Sequence, residues 1–339
     1  MEKKMSIKKI SELAGVSPTT VSFVLNNRKG IGEETRKKVM EVIEREQYVP
    51  NINSRRLSLN RSFNLGFITN DNFAMLTDAF ASRVMIEAVR KANSLGYSIT
   101  LIPVTGNDME KALRKSINQG NIDGAIVIHD ISQTEYKALK QEGVPLVVID
   151  SHMKNPMYSC VNVDYKDAAY KVVEYLLDQG HRDIAYIGIE SLPDLYVSCL
   201  QGYCEALATR SISINAEWIM SVVDYENGVD DKIAEKFRKG NLPSAIFCAN
   251  DFTAIGTING LYKLGLTVPG DVSVISIDDI YLAKMFRPSL TTMKIDIEDM
   301  GSKAIEILDR LISKKTDREV HTMKAENLVI RESVRKINK

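Results

Sequence analysis

The stretch Ile10-Ser-Glu-Leu-Ala-Gly15-Val-Ser17-Pro18-Thr19-Thr20-Val-Ser22-Phe23-Val-Leu-Asn26 decides how this chain is read. Ile7, Ile10, Leu13 and Ala14 recur at helical spacing, which predicts a short amphipathic helix. Gly15-Val16-Ser17 breaks it. Ser17 has the side chain of a helix N-cap, and Pro18 stands where the first helical residue needs no N–H. A second helix follows, with Val21, Val24 and Leu25 on one face, and Asn26-Asn27 ends it. Helix, tight turn and helix in about twenty residues is the sequence form of a helix-turn-helix, whose second helix enters the DNA major groove. The outward face of that helix carries Ser17, Thr19, Thr20, Ser22 and Asn26. These short hydrogen-bonding side chains reach base edges and phosphates without steric conflict.

Moving outward, a third helix is expected over 33–46, with Val39, Val42 and Ile43 inward and Glu33 and Glu34 placed to suit its dipole. Pro50 stops regular structure. Residues 52–59 hold about two turns of helix, too short to be stable alone in water. Such a segment between two domains can be ordered by binding. Charge divides at the same place: residues 1–61 carry 13 Lys+Arg against 7 Asp+Glu, whereas the rest carries 31 against 37. A basic head on an acidic body points to nucleic acid at one end.

Taken together, Ile10 to Asn26, Glu34-Thr35-Arg36, Tyr48-Val49-Pro50-Asn51 and Arg56-Leu57 closely resemble the lactose/galactose repressor family of bacterial transcription regulators. The resemblance implies that 51–61 is a hinge helix that folds on operator DNA. It also implies that Leu57 wedges into the minor groove, in keeping with apolar side chains that unstack a base step. The competing reading is that Leu57 packs on the sensor. The DNA-binding set is then Ser17, Thr19, Thr20, Ser22, Phe23, Asn26, Arg28, Thr35, Asn51, Ser54, Arg55 and Leu57. Lys29 and Arg61 join Arg28 and Arg55 as phosphate contacts that make binding salt-dependent. Two positions depart from the family. Phe23 stands where many members carry Arg, and a phenyl ring cannot make a bidentate guanine contact. Gly32 replaces the usual Ser at the third helix's start and caps more weakly.

From Phe63 the texture changes. Strands are expected at 65–69, 98–103, 125–128 and 145–149, with helices at 79–95 and 108–118. The pattern restarts with helices at 168–178, 198–209, 228–237 and 251–264 and strands at 184–188, 245–248 and 272–276. A helix at 300–312 and a strand at 326–330 complete it. Continuous apolar strands between amphipathic helices predict parallel sheets covered on both faces. The restart predicts two lobes. The expected fold is therefore a small all-α helix-turn-helix head and hinge helix joined to an α/β sensor of two Rossmann-like lobes, periplasmic-binding-protein-like. The expected divisions are 1–50 for the head, 51–61 for the hinge and 62–339 for the effector-binding and dimerisation domain. Lobe 1 takes about 62–161 and 292–321, and lobe 2 about 162–291 and 322–334. The resemblance implies three crossings between the lobes.

Cys248-Ala249-Asn250-Asp251, the run from Val268 to Asp279, and Arg287-Pro288-Ser289-Leu290-Thr291-Thr292 extend the resemblance along the chain. It implies a small-molecule effector between the lobes, outside the carboxyl ends of the strands. The implied contacts are Asn250 and Asp278, Asp150 at the end of a strand, and Tyr225 in a loop where relatives stack an aromatic; Asn70 and Asp71 end the first strand and are expected to face the cleft. Helix capping competes for Asn250, and surface packing for Tyr225. Cys199 occupies the position where sugar-binding relatives usually carry Arg, three residues before Gly202. Arg offers five donors and a permanent charge, and Cys neither. This leaves a less polar ligand, a different grip or a protein partner open.

Composition narrows the classes. The chain of 339 residues is 44% hydrophobic and 26% charged, ordinary for a globular protein. No apolar run approaches the ~18 residues of a membrane span, and the charged N-terminus precedes no signal-peptide core, so a cytoplasmic protein is expected. Cys160, Cys199, Cys204 and Cys248 are scattered and read as free thiols, with no metal-ligand spacing. His129, His152, His181 and His321 are far apart, and no nucleotide, nucleophile-elbow or zinc-protease motif occurs. No enzyme, cofactor or metal is expected. The expected partners are double-stranded operator DNA, a small-molecule effector and a second copy of the chain. The alternative is a solute-binding protein without DNA function.

Overall fold

The computed structural model describes residues 5–25, 30–48, 61–70, 79–104, 111, 114–116, 119–128, 131, 136–137, 140–141, 143–151, 153, 156–223, 228–325 and 327–337. The chain divides into two compact units near Phe63.

In the first unit, α1 (Ile7–Ala14), α2 (Pro18–Leu25) and α3 (Glu33–Arg45) enclose a small core of Ile10, Ala14, Val21, Val24, Val39, Val42, Ile43 and Tyr48. Each helix follows its sequence signals. Ser6 caps α1 by accepting from Lys9 N at 3.3 Å. Gly15 adopts a left-handed φ of 63°, which a glycine takes without strain, and its N–H closes the end of α1 on Ser11 O and Glu12 O. Ser17 Oγ accepts from Thr20 N at 3.0 Å and so caps α2. Gly32 gives α3 no side-chain cap.

The second unit holds two sheets of six strands each. In the first, β1 (Asn64–Asn70), β2 (Ser98–Val104), β3 (Gly124–Ile128), β4 (Leu146–Ile149), β5 (Ser159–Val163) and β11 (Val320–Met323) run parallel in the order β11-β5-β4-β3-β1-β2. In the second, β6 (Ile184–Ile189), β7 (Ile219–Val222), β8 (Ala245–Cys248), β9 (Ser273–Asp278) and β10 (Thr291–Lys294) run parallel. The antiparallel β12 (Asn327–Val329) closes its edge, in the order β12-β10-β9-β8-β6-β7. β3, β4, β6, β8 and β9 are buried at every position, the signature of sheets covered on both faces.

The crossings follow the expected plan. The chain leaves lobe 1 after β5 and enters lobe 2 with α5 (Tyr165–Asp178). It returns with α10 (Ile297–Ile312), which packs on α4 (Ala79–Ser94), and ends in lobe 2 with β12. The lobe boundaries need correction by a few residues. Thr291–Lys294 pairs with β9, so lobe 2 reaches past 292. Residues 162–163 and 322–323 belong to lobe 1, because β5 and β11 pair there. Polar residues hid these strands. Ser159 and Asn162 interrupt β5, which is nonetheless buried throughout, and β11 alternates between exposed and half-buried positions. The helix expected at 108–118 lies mostly outside the described residues.

Within lobe 2, α5 and α6 (Pro193–Thr209) lie unusually close. A Cβ on Gly202 would stand 2.2 Å from Lys166 O and 2.8 Å from Tyr170 N, so only glycine lets the two backbones approach. The four cysteines are free thiols, as expected, and three of them are buried.

Candidate functional site

The head presents a reading surface. Val21 and Val24 anchor α2 to the small core, while Ser17 and Thr19 are exposed and Thr20, Ser22 and Phe23 half-buried. Ser17 Oγ lies 2.9 Å from Thr20 Oγ1, so the two hydroxyls at the start of α2 are held together. Helix α3 supports α2 from behind, where Arg36 Nη1 donates to Val24 O at 3.4 Å. Thr35 sits half-buried in the first turns of α3. Asn26, Arg28, Asn51, Ser54, Arg55 and Leu57 lie outside the described residues.

The sensor brings together residues that are far apart in sequence. Asp150 follows β4, is 4% exposed and takes φ of 58°. Its Oδ1 accepts from Tyr165 Oη at 2.8 Å. Tyr165 is held well above the usual phenol range by burial first, then by the charges of Asp150 and Asp278. Burial likewise pushes the Cys199 thiol up, and Asp278 adds to the effect. Asp150, Tyr165, Cys199 and Asp278 therefore share one buried locus beside the carboxyl ends of β4, β5 and β9. Cys199 is fully buried and stays an uncharged thiol. Asp278, at φ 127°, and Asp279, at φ 58°, also hold left-handed backbone. Non-glycine residues in such conformations concentrate at functional sites.

Asn250 stands at the end of β8, but its Oδ1 accepts from Thr253 N at 2.8 Å and caps α8 (Asp251–Lys263). The capping role is thus the one seen. The neighbouring Asp251, fully buried, accepts from Ser276 Oγ at 2.5 Å, Thr292 Oγ1 at 2.7 Å and Ile280 N at 2.8 Å. It ties α8, β9, β10 and the turn after Asp278 into one knot. Beside it, Arg331 Nη2 lies 2.6 Å from Asp279 Oδ1. Arg83 of lobe 1 pairs with Glu298 and reaches the Asp279 carbonyl of lobe 2 at 3.5 Å. Asn70 closes β1, and nothing is described of its side chain. Asp71 and Tyr225 lie outside the described residues.

Sequence reasoning gave no role to Tyr165, Asp251 or Arg83. Tyr165 had a readable signal, as a large polar-tipped side chain right after a strand end and beside the capping Asp164. Asp251 had none, because its partners lie 25, 29 and 41 residues away. Among the described residues no cluster of His, Cys, Asp and Glu could hold a metal ion, and no helix is long and apolar enough to cross a membrane.

A family model described as bacterial regulatory proteins, lacI family, matches residues 6–51, and one for a periplasmic binding protein-like domain matches residues 173–334. The chain is 32% identical over 338 residues to a probable HTH-type transcriptional repressor ExuR of Bacillus subtilis (strain 168), spanning 98% of this chain and 99% of the relative. It is 31% identical over 338 residues to the HTH-type transcriptional repressor PurR of Vibrio vulnificus (strain CMCP6), with the same coverage. Among solved structures, it is similar in fold to a lac repressor dimer bound to operator and the anti-inducer ONPF, with a TM-score of 0.75, 23% identity and coverage of 98% of this chain and 100% of that one. A transcriptional regulator CelR–cellobiose complex gives a TM-score of 0.71 at 24% identity, covering 97% and 99% of the two chains.

Proposed function

The chain belongs to the lacI family of bacterial regulatory proteins, DNA-binding transcriptional repressors with a ligand-binding sensor, and on that premise we propose how its own residues do this work. The alternative of a solute-binding protein without DNA function falls away with the family. In the proposed mechanism a homodimer in the cytoplasm reads a pseudo-palindromic operator, because two-fold protein symmetry selects two-fold DNA symmetry. Ser17 at the cap of α2, Thr19, Thr20, Ser22 and Phe23 within it, and Asn26 face the bases. Thr35, Arg28, Asn51, Ser54 and Arg55 hold the backbone. Phe23 makes an apolar contact in place of a guanine-reading Arg.

Pairing through the sensor is supported by exposed apolar side chains on both lobes. Lobe 1 exposes Ile86 on α4 and Leu101 on the edge strand β2. Lobe 2 exposes Tyr281, Leu282 and Met285 on α9 (Tyr281–Met285). An exposed apolar set of this kind suits a second copy.

The effector, a small sugar-like molecule, is read at the locus of Asp150, Tyr165, Cys199 and Asp278, with Tyr225, Asn70 and Asp71 as the further contacts expected from the sequence. Asn250 contributes through its amide Nδ2, since Oδ1 is committed to the cap. Carboxylates accept from ligand hydroxyls, and the neutral thiol leaves no fixed cation at the Cys199 position. No cofactor enters the cycle. Ligand binding alters the angle between the lobes and so the spacing of the two hinges. By linkage, DNA and effector change each other's affinity by the same factor.

The observation that carries this reading is the capped α2, whose start presents the exposed hydroxyls of Ser17 and Thr19. Leu57→Ala tests the hinge. With the duplex most enriched from a random pool, affinity is expected to fall at least about tenfold, while affinity for a scrambled duplex changes by less than about threefold, because a wedge acts only where the step is unstacked. Equal loss on both duplexes contradicts the wedge.

A further inference from the structure

The outer edge of lobe 2 holds a cavity of about 400 Å³, walled by β6, β7 and α7 (Val229–Phe237), the helix that follows β7 in the chain. Its floor is apolar. Met220 and Val222 leave the same face of β7, Ile187 stands opposite Met220 in the β6–β7 register, and Ile233 meets them from α7. Ile187, Val222 and Ile233 are buried, and Met220 is half-buried. The groove exists because β7 is the outermost strand of its sheet, with no strand beyond it to complete the cover of its face. All the described residues that line it belong to lobe 2, and Asp150, Tyr165, Cys199, Asn250 and Asp278 are not among them.

The rim is basic. Lys232 and Lys236 line it one helical turn apart, with Glu235 as the acidic residue beside them. All three are exposed. Among the described residues the ion pairs of α7 are those of Asp230 and Asp231 with Lys263, each at 2.7 Å, and Lys232, Glu235 and Lys236 make none. The acidic start of the helix is thus neutralised by α8, while residues 232–239 carry Lys232, Lys236, Arg238 and Lys239 against Glu235. A backbone donor joins the two lysines. Glu190 N donates to Val222 O at 2.8 Å, so Val222 turns its peptide groups toward β6 and Ser221 turns its own to the free edge of the sheet. The Ser221 side chain is committed elsewhere, donating to Glu190 Oε1.

We infer that this edge groove, outside the inter-lobe region, is a binding site for a small amphipathic anion, a carboxylate carried on an apolar body such as a medium-length acyl chain. Its volume lies within the range of small-molecule sites, about 300–1,000 Å³. The apolar body rests on Ile187, Met220, Val222 and Ile233, and the carboxylate meets Lys232, Lys236 and the Ser221 N–H at the rim. A sugar fits poorly, because the floor offers its hydroxyls no hydrogen-bonding side chain. An ammonium head group fits poorly as well, because it meets two lysines of like sign.

Isothermal titration of the full chain with octanoate, with octanamide as the uncharged probe and octylammonium as the cationic one, tests the inference. Octanoate is expected to saturate one site per chain and to bind at least about threefold more tightly than either control, as two exposed ion pairs allow. Lys232→Gln with Lys236→Gln is expected to erase the preference over octanamide. Arg238→Gln with Lys239→Gln removes the same charge just outside the groove and is expected to retain it. Met220→Glu places a carboxylate on the floor and is expected to weaken octanoate at least tenfold. If Met220→Glu does not fold, the Lys232 and Lys236 pair decides alone. Absence of saturable octanoate binding overturns the inference, and so does equal binding of the three probes. Octanoate binding that the Lys232 and Lys236 pair leaves unchanged also overturns it, since the anion then sits elsewhere and the proposed function is untouched. Equal loss of the preference in both paired variants overturns it too, because the attraction is then one of general charge.

Discussion

Replacing Asp251 with Ala is expected to destabilise the sensor by about 4 kcal/mol, because it strands buried donors that a charged acceptor now satisfies. The Ser276 and Thr292 hydroxyls and the Ile280 N–H all converge on this carboxylate. Two strands and the turn following Asp278 lose their common anchor when it goes. Urea unfolding of the full chain reads the loss, and a change below about 1 kcal/mol contradicts this account of the knot. The pH dependence has a definite sign. Burial outweighs the three donors and holds the Asp251 carboxyl up to about 6, above its ordinary value of 3.8. A group whose pKa rises on folding contributes stability that is complete below the unfolded value and is lost as pH rises through the folded one. The penalty of Asp251→Ala is therefore expected to be larger at pH 5 than at pH 7. A penalty independent of pH, or larger at pH 7, contradicts the raised pKa.

Gly202→Ala is expected to cost roughly 3 kcal/mol through overpacking. The new Cβ meets backbone on the facing helix, Lys166 O and Tyr170 N, and backbone cannot yield as a flexible side chain does. Helices α5 and α6 must separate, which loosens Tyr165 at the start of one and Cys199 on the other. Glu205→Ala, on the same helix pair, is the control. It removes an exposed ion pair with Lys166, worth no more than about 0.5 kcal/mol. Equal unfolding midpoints for Gly202→Ala and the wild-type chain contradict the close packing.

Much of this architecture was legible because its determinants are local. Ser17, Pro18 and Gly15 punctuate α1 and α2 within a few residues, and each occupies the role its chemistry suggests. Apolar runs such as those of β3 and β8 announced the parallel sheets. The strands that escaped notice carry polar residues whose partners come from elsewhere. Ser159 Oγ accepts from Glu319 N at 3.0 Å, and Thr291 Oγ1 from Arg331 N at 2.9 Å, across 160 and 40 residues. No window of sequence contains both ends of such bonds. The buried polar locus at these strand ends was legible in part. Asp150, Cys199 and Asp278 were found through the resemblance, and the structure gathers them around Tyr165. At Asn250 one position in a motif served both capping and contact readings, and its Oδ1 takes the capping role.

We propose that this chain reads DNA sequence as a symmetric pair. Repeated selection of the full-length protein on duplexes with a random central stretch tests it directly. The account predicts enrichment of an inverted repeat, two matching half-sites about a common centre, with affinity that falls steeply as salt rises. Enrichment of a single unrepeated half-site, or none over the starting pool, would contradict it.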